Sequence, residues 1–193
     1  MDEVQLLCGR LLADPLVAAE VATQARAGVP TDRLATLRAA LIACRGHHEH
    51  ADRAARADVD DGLAAAVAGE LAQACGRLPV RDRELLALRE LLGLSHDEIG
   101  VLLDLDQDAV AGALAQASVG LRTQLRGPGQ PVPPCAERDR ALRAIARRHD
   151  ETPVSESEND WLIAHLASCR GCAQAHAAVL EGAACYGAWT ADA

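Results

Sequence analysis

This sequence predicts an all-α fold, and three observations carry that expectation. Half of its 193 residues are apolar, yet Phe is absent and only two Trp and one Tyr occur. The core must therefore be built from Ala, Leu and Val in a chain of high helix propensity with few β-branched runs. Apolar residues recur three and four positions apart, the spacing of a helix face. Gly and Pro interrupt these runs beside Ser, Thr or Asp, the residues that cap helix starts.

Taken in order, residues 4–26 read as one helical stretch bent at Pro15, with Leu7, Leu11, Leu16, Val17 and Val21 on its apolar face. Gly28-Val29-Pro30 breaks it, and Thr31 or Asp32 caps a helix that runs through Leu37 and Leu41 to about Arg45. His47-His48-Glu49-His50 could bind a metal, but adjacent residues on a helix point different ways, and such runs commonly sit in solvated loops. Ala51–Asp61 reads as a polar linker and Leu63–Leu78 as a further helix. Cys8, Cys44 and Cys75 fall on apolar faces and read as small core residues.

Leu78–Arg126 predicts three helices with two tight breaks, the pattern of a helix-turn-helix. Gly93 ends the first helix, since glycine takes positive φ at low cost. Ser95 and Glu98 form a capping box for the second. Asp106 caps the third, in which Val110, Leu114, Leu121 and Leu125 recur at helical spacing. The stretch LPVRDRELLALRELLGLSHDEIGVLL, Leu78–Leu103, resembles region 4 of bacterial extracytoplasmic-function sigma factors, where LP.R.RE...LRE..GLS..EIA..L precedes the helix that reads the promoter's upstream element. The resemblance implies RNA polymerase core as partner and promoter DNA contacts at Ser95, Gln107, Gln116, Ser118 and Arg122.

The third helix departs from that family. No charged residue lies between Ala109 and Leu121, where the family carries Lys or Arg. Phosphate contacts supply much of the affinity for DNA. Asp104, Asp106 and Asp108 crowd its N-terminal end, favouring the helix dipole but repelling phosphate. LLADPLVAAEVATQAR followed by LATLRAALIACRGH loosely resembles region 2 of the same family, with its DP..AED..Q helix before WL..IARN. That region captures flipped bases with aromatic and basic side chains, and residues 1–76 hold no aromatic residue.

Four Pro and two Gly fill the eight residues from Gly127 to Pro134, and beyond this linker lies the strongest chemical signal. His165, Cys169 and Cys172 have the form H-x3-C-x2-C. A helix puts the first two on one face, and Gly171 would let the chain turn back to the third. Soft ligands so placed suit tetrahedral Zn2+. The fourth ligand is Cys135, at the start of a helix over Glu137–Arg148, or His149 at its end. A redox pair or two core thiols is the competing reading. The segment resembles the zinc-associated anti-sigma domain, in which a Cys or His opens a first helix and HL..C..C joins the second to a third. That resemblance covers Cys135 to about Tyr186, favours Cys135 as fourth ligand and implies a thiol-based sensor. Trp161 is expected to anchor the middle helix, with Cys185, Tyr186 and Trp189 as packing residues.

The expected organisation is a degenerate region 2-like segment over 1–60 and a region 4-like helix-turn-helix over 61–127. A linker over 128–134 leads to a three-helix zinc domain over 135–193. A net charge of −9, negative in every part, argues against a strong nucleic-acid binder and for protein partners, polymerase or a sigma factor. No nucleophile-base pair, phosphate-binding loop or open metal site points to an enzyme or a small-molecule substrate. No apolar run reaches membrane-spanning length, and MDEVQLL lacks the basic start of a signal peptide, so a cytoplasmic protein is expected. Two functions remain. One is a sigma-like transcription regulator with a fused zinc domain. The other is an anti-sigma or sigma mimic that leaves DNA alone.

Overall fold

The computed structural model describes residues 2–12, 14–27, 32–55 and 69–191, with the side chains of 49–55 and 189–191 outside the description. The expected break at Gly28–Pro30, the cap at Thr31 and residues 63–68 of the expected helix lie outside it too, as do the side chains of Glu49, His50 and Trp189. The described residues form ten α-helices and no strand, so the all-α expectation holds.

Two helices stand where one bent helix was expected. The first, α1, spans Glu3–Leu12 and the second, α2, spans Pro15–Arg26. The Asp14 carboxylate accepts from the Leu16 and Val17 amides, and Pro15 takes the first helical position, where its missing N–H costs nothing. Helix α3 spans Arg33–Ala55, ten residues beyond the expected end at Arg45. Gly46 costs only about 1 kcal/mol inside a helix. The alanines and arginines after His50 are good helix formers and carry α3 through it. Asp32 caps α3 by accepting from the Ala35 amide (2.8 Å).

The short α4 spans Glu70–Gly76. Helix α5, Val80–Leu86, runs on into a π-helical turn at Ala87–Leu91, where the Leu92 amide reaches back to the Ala87 carbonyl. Gly93 follows at φ +63°, as the sequence predicts. Helix α6, His96–Leu103, begins with the Ser95–Glu98 capping box. At its end Asp104 takes the left-handed conformation and Leu105 turns back onto Gly100. A Cβ on Gly100 would lie 2.6 Å from the Leu105 carbonyl oxygen, so this turn needs glycine there. Asp106 then caps α7, Gln107–Arg126.

The linker after Gly127 has no helix, and α8 (Arg138–His149), α9 (Glu156–Ser168) and α10 (Arg170–Ala191) complete the chain. Three buried apolar clusters result, and α7 contributes to all of them. Val110 and Leu114 join one with α1, α2, α3, α5 and α6. Ala111 and Ala115 join a second with α8, α9 and α10. Ala117 and Leu121 join a third with α4, Leu86 and Tyr186 of α10. Cys8, Cys44 and Cys75 are buried, as expected, with the Cys8 and Cys44 sulfurs 3.6 Å apart. The first segment is pinned to the helix-turn-helix by Arg45, which grips the buried Glu84 carboxylate with two bonds of 2.5 and 2.6 Å.

Candidate metal centre and candidate nucleic-acid interface

Four ligand atoms converge where the linker meets the last two helices. Cys135 sits just ahead of α8, its carbonyl accepting from the Arg138 amide. His165 occupies the last turn of α9, Cys169 caps that helix with its amide on the His165 carbonyl, and Cys172 lies in the first turn of α10. The Cys135, Cys169 and Cys172 sulfurs and one His165 ring nitrogen all lie within 4.8 Å of one another. Cys135 Sγ is 3.5 Å from His165 Nε2.

This set can hold a metal such as zinc. Metal–sulfur bonds near 2.3 Å and metal–nitrogen bonds near 2.0 Å give a tetrahedron whose sulfur–nitrogen edge is about 3.5 Å. The backbone amide of Cys172, then the Cys172 and Cys135 thiols, and last the Gly171 amide hold the Cys169 thiol below its ordinary pKa. Burial, and then the neighbouring Cys169 and Cys135 sulfurs, push the Cys172 thiol up to about 12. A cation at the centre would reverse that penalty. Outside the four, Trp161 stacks on the His165 ring at 5.0 Å, and the Arg140 guanidinium lies over Trp161 at 3.7 Å. Glu158 fixes Arg140 from the far side with bonds of 3.1 and 2.7 Å.

Two details differ from the sequence reading. Gly171 has no positive φ and lies inside α10. It leaves room for the linker, since a Cβ there would meet Val132 Cγ2 at 3.2 Å. His149, the other candidate for the fourth position, stands instead beside Glu90 and Asp150.

The candidate DNA contacts are scattered by the packing around α7. The Ser95 hydroxyl and amide are both engaged with Glu98 in the capping box. The Gln107 side chain is bonded to Asp97. Gln116 is exposed, in a cleft of about 620 Å³ that Asp82, Asp106, Asp108 and Asp139 also line. Ser118 is buried, donates to the Leu114 carbonyl and lies against Gly182 of α10. Arg122 bonds Glu181 of α10 and the Gly127 carbonyl. The basic groups near the start of α7 come from α8: Arg147 pairs with Asp108, and Arg143 packs on Gly112. No local pattern could have named them, because they lie some thirty residues along the chain.

The helix-turn-helix has a known counterpart. Residues 68–119 match the family Sigma-70, region 4. About a quarter of the chain is covered, and the match implies a sigma-factor-like role in transcription, with RNA polymerase and promoter DNA as the partners of a region 4. No curated protein and no solved structure matches the chain. Among the described residues, no helix is long and apolar enough to cross a membrane.

Proposed function

We propose that the chain is a cytoplasmic sigma-factor-like transcription regulator whose zinc-holding C-terminal unit keeps its promoter-reading helix covered. In this reading residues 1–60 are a reduced region 2, 61–127 are region 4, 128–134 are a linker, and 135–193 are a domain of the zinc-associated anti-sigma kind. Cys135, His165, Cys169 and Cys172 hold Zn2+. The ion supplies the cross-links that a small helical unit cannot obtain from its core alone.

One observation carries the proposal. The face of α7 that lacks charge is the face buried by α8 and α10. Ala111 and Ala115 pack among Ala141, Leu142 and Ile145, and Glu181 takes both Arg122 and Arg126. An uncharged recognition helix is expected if its usual neighbour is protein. Oxidation of two of the cluster's thiolates to a disulfide by hydrogen peroxide, which takes up two protons and leaves as two waters, would cost the site two of its ligands and loosen this cover.

A second reading has the same cover permanent: a mimic that binds polymerase or another sigma factor and never DNA. The carboxylates around the start of α7 favour it. Affinity capture of the tagged chain from its own cells and a salt titration of DNA binding separate the two. Core polymerase subunits without another sigma factor, together with salt-dependent binding of promoter DNA, support the sigma-like reading, and core polymerase with no DNA binding supports the mimic. Another sigma factor without core polymerase overturns it in favour of the mimic.

A further inference from the structure

We propose that Glu90, His149 and Asp150 form a second cation site, apart from the cysteine cluster, that takes a borderline divalent metal ion and fastens the end of α8 to the π-helical turn of the helix-turn-helix. Glu90 lies in that turn, His149 is the last residue of α8, and Asp150 follows it. One imidazole nitrogen and two carboxylate oxygens lie within 4.8 Å of one another. A single nitrogen with two carboxylates suits ions such as Zn2+, Co2+ or Mn2+, with water completing the shell.

The charge balance favours a cation here. Asp150 accepts from Arg89 Nε at 3.0 Å and meets His96 Nε2 at 2.7 Å, which uses one lone pair on each of its oxygens and leaves the other free. Arg89 and His96 pair directly with Asp150, and Arg89 reaches the second carboxylate only at longer range. That second one is Glu90, half-buried and joined to no other described residue by a hydrogen bond or ion pair. Such a group gains from a proton or from a metal ion, and a neighbouring imidazole favours the metal. His149 is exposed, so an ion can enter from solvent. The basic groups facing the site are Arg89, His96 and Arg148, with His176 of α10 also near His149. They make this site weaker than the thiolate cluster.

The test uses the full chain as purified, dialysed against sub-millimolar Co2+ under reducing conditions. Bound cobalt and released zinc are counted, and the absorption spectrum is recorded. The expected result is one added cobalt per chain with weak ligand-field bands and no sulfur-to-metal charge transfer. The Glu90→Gln and His149→Ala variants should each lose that equivalent while keeping the metal of the cysteine cluster, which also reports that they are folded. No added cobalt, cobalt that appears only with a sulfur band, or an added equivalent that survives in both variants overturns the proposal. The sulfur band reports the cysteine cluster alone, so failure at either site is distinguishable from failure at the other.

Discussion

Gly182 has no side chain, and the meeting of α10 with α7 depends on that. A Cβ there would sit 2.5 Å from the Ser118 carbonyl oxygen, a backbone atom that cannot swing away. Gly182→Ala should cost about 1–3 kcal/mol by overpacking, and hydrogen exchange should show faster exchange along the facing stretch of α7. Ser95 acts at the same scale. Replacing it with Ala should cost about 1 kcal/mol in chemical denaturation, the usual effect of losing an N-cap. Its partner Glu98 gives the cap a pH dependence. The Ser95 amide and then the Ser95 hydroxyl hold the Glu98 carboxyl below its ordinary value of 4.5. A carboxyl lowered in the folded state stabilises in its ionised form. That contribution is complete above 4.5 and fades as pH falls through the folded value. Denaturation of Glu98→Gln at a series of pH values should show this part of the acid sensitivity removed.

Helix by helix, the molecule is organised around α7, which no single expected domain owns. Its Val110–Leu114 side shares a core with the first three helices. Its Ala111–Ala115 side shares another with the last three. The junction of α3 with α5 rests on Arg45 and Glu84. The Glu84 side chain is 1% exposed and that of Arg45 is 38% exposed. Arg45→Ala would strand a buried carboxylate. The expected loss is about 2 kcal/mol, below that for a fully buried pair because Arg45 keeps contact with water. In a Glu84→Met background the same substitution should cost less than about 1 kcal/mol. Equal costs in the two backgrounds would mean that the bidentate contact contributes little.

At the scale of the whole molecule, the proposed metal centre and α7 share one buried core. Cys172 lies in the same buried cluster as Ala111 and Ala115. Removing the metal with a strong chelator under reducing conditions should therefore lower the melting temperature, loosen α8, α9 and α10, and raise hydrogen exchange at Ala111 and Ala115. Loosening confined to α9 and α10, with α7 still protected, would separate the metal centre from the cover.

The helical runs, the caps at Asp32, Ser95 and Asp106 and the H-x3-C-x2-C triad were legible in the sequence, because each depends on residues a few positions apart. Asp106, Ser95, Gly93 and the His165–Cys172 spacing are of that kind. The continuation of α3 past Gly46 was not legible, since a cost of about 1 kcal/mol is outweighed by good helix formers beyond it. The choice of neighbours for α7 was not legible either. A stripe of Ala between residues 109 and 117 reads equally as a lost DNA contact or as a packing face. Only the approach of α8 and of Gly182, about thirty and sixty residues along the chain, decides between them. The sequence by itself determined an all-helical chain with a region 4-like segment and a run of Cys and His at metal-ligand spacing, because local spacing and donor chemistry suffice for those. The tertiary structure decided which faces of α7 meet protein, that Cys135 joins the cluster of four, and that His149 stands with Glu90. Those are distances between remote parts of the chain, set by packing as a whole.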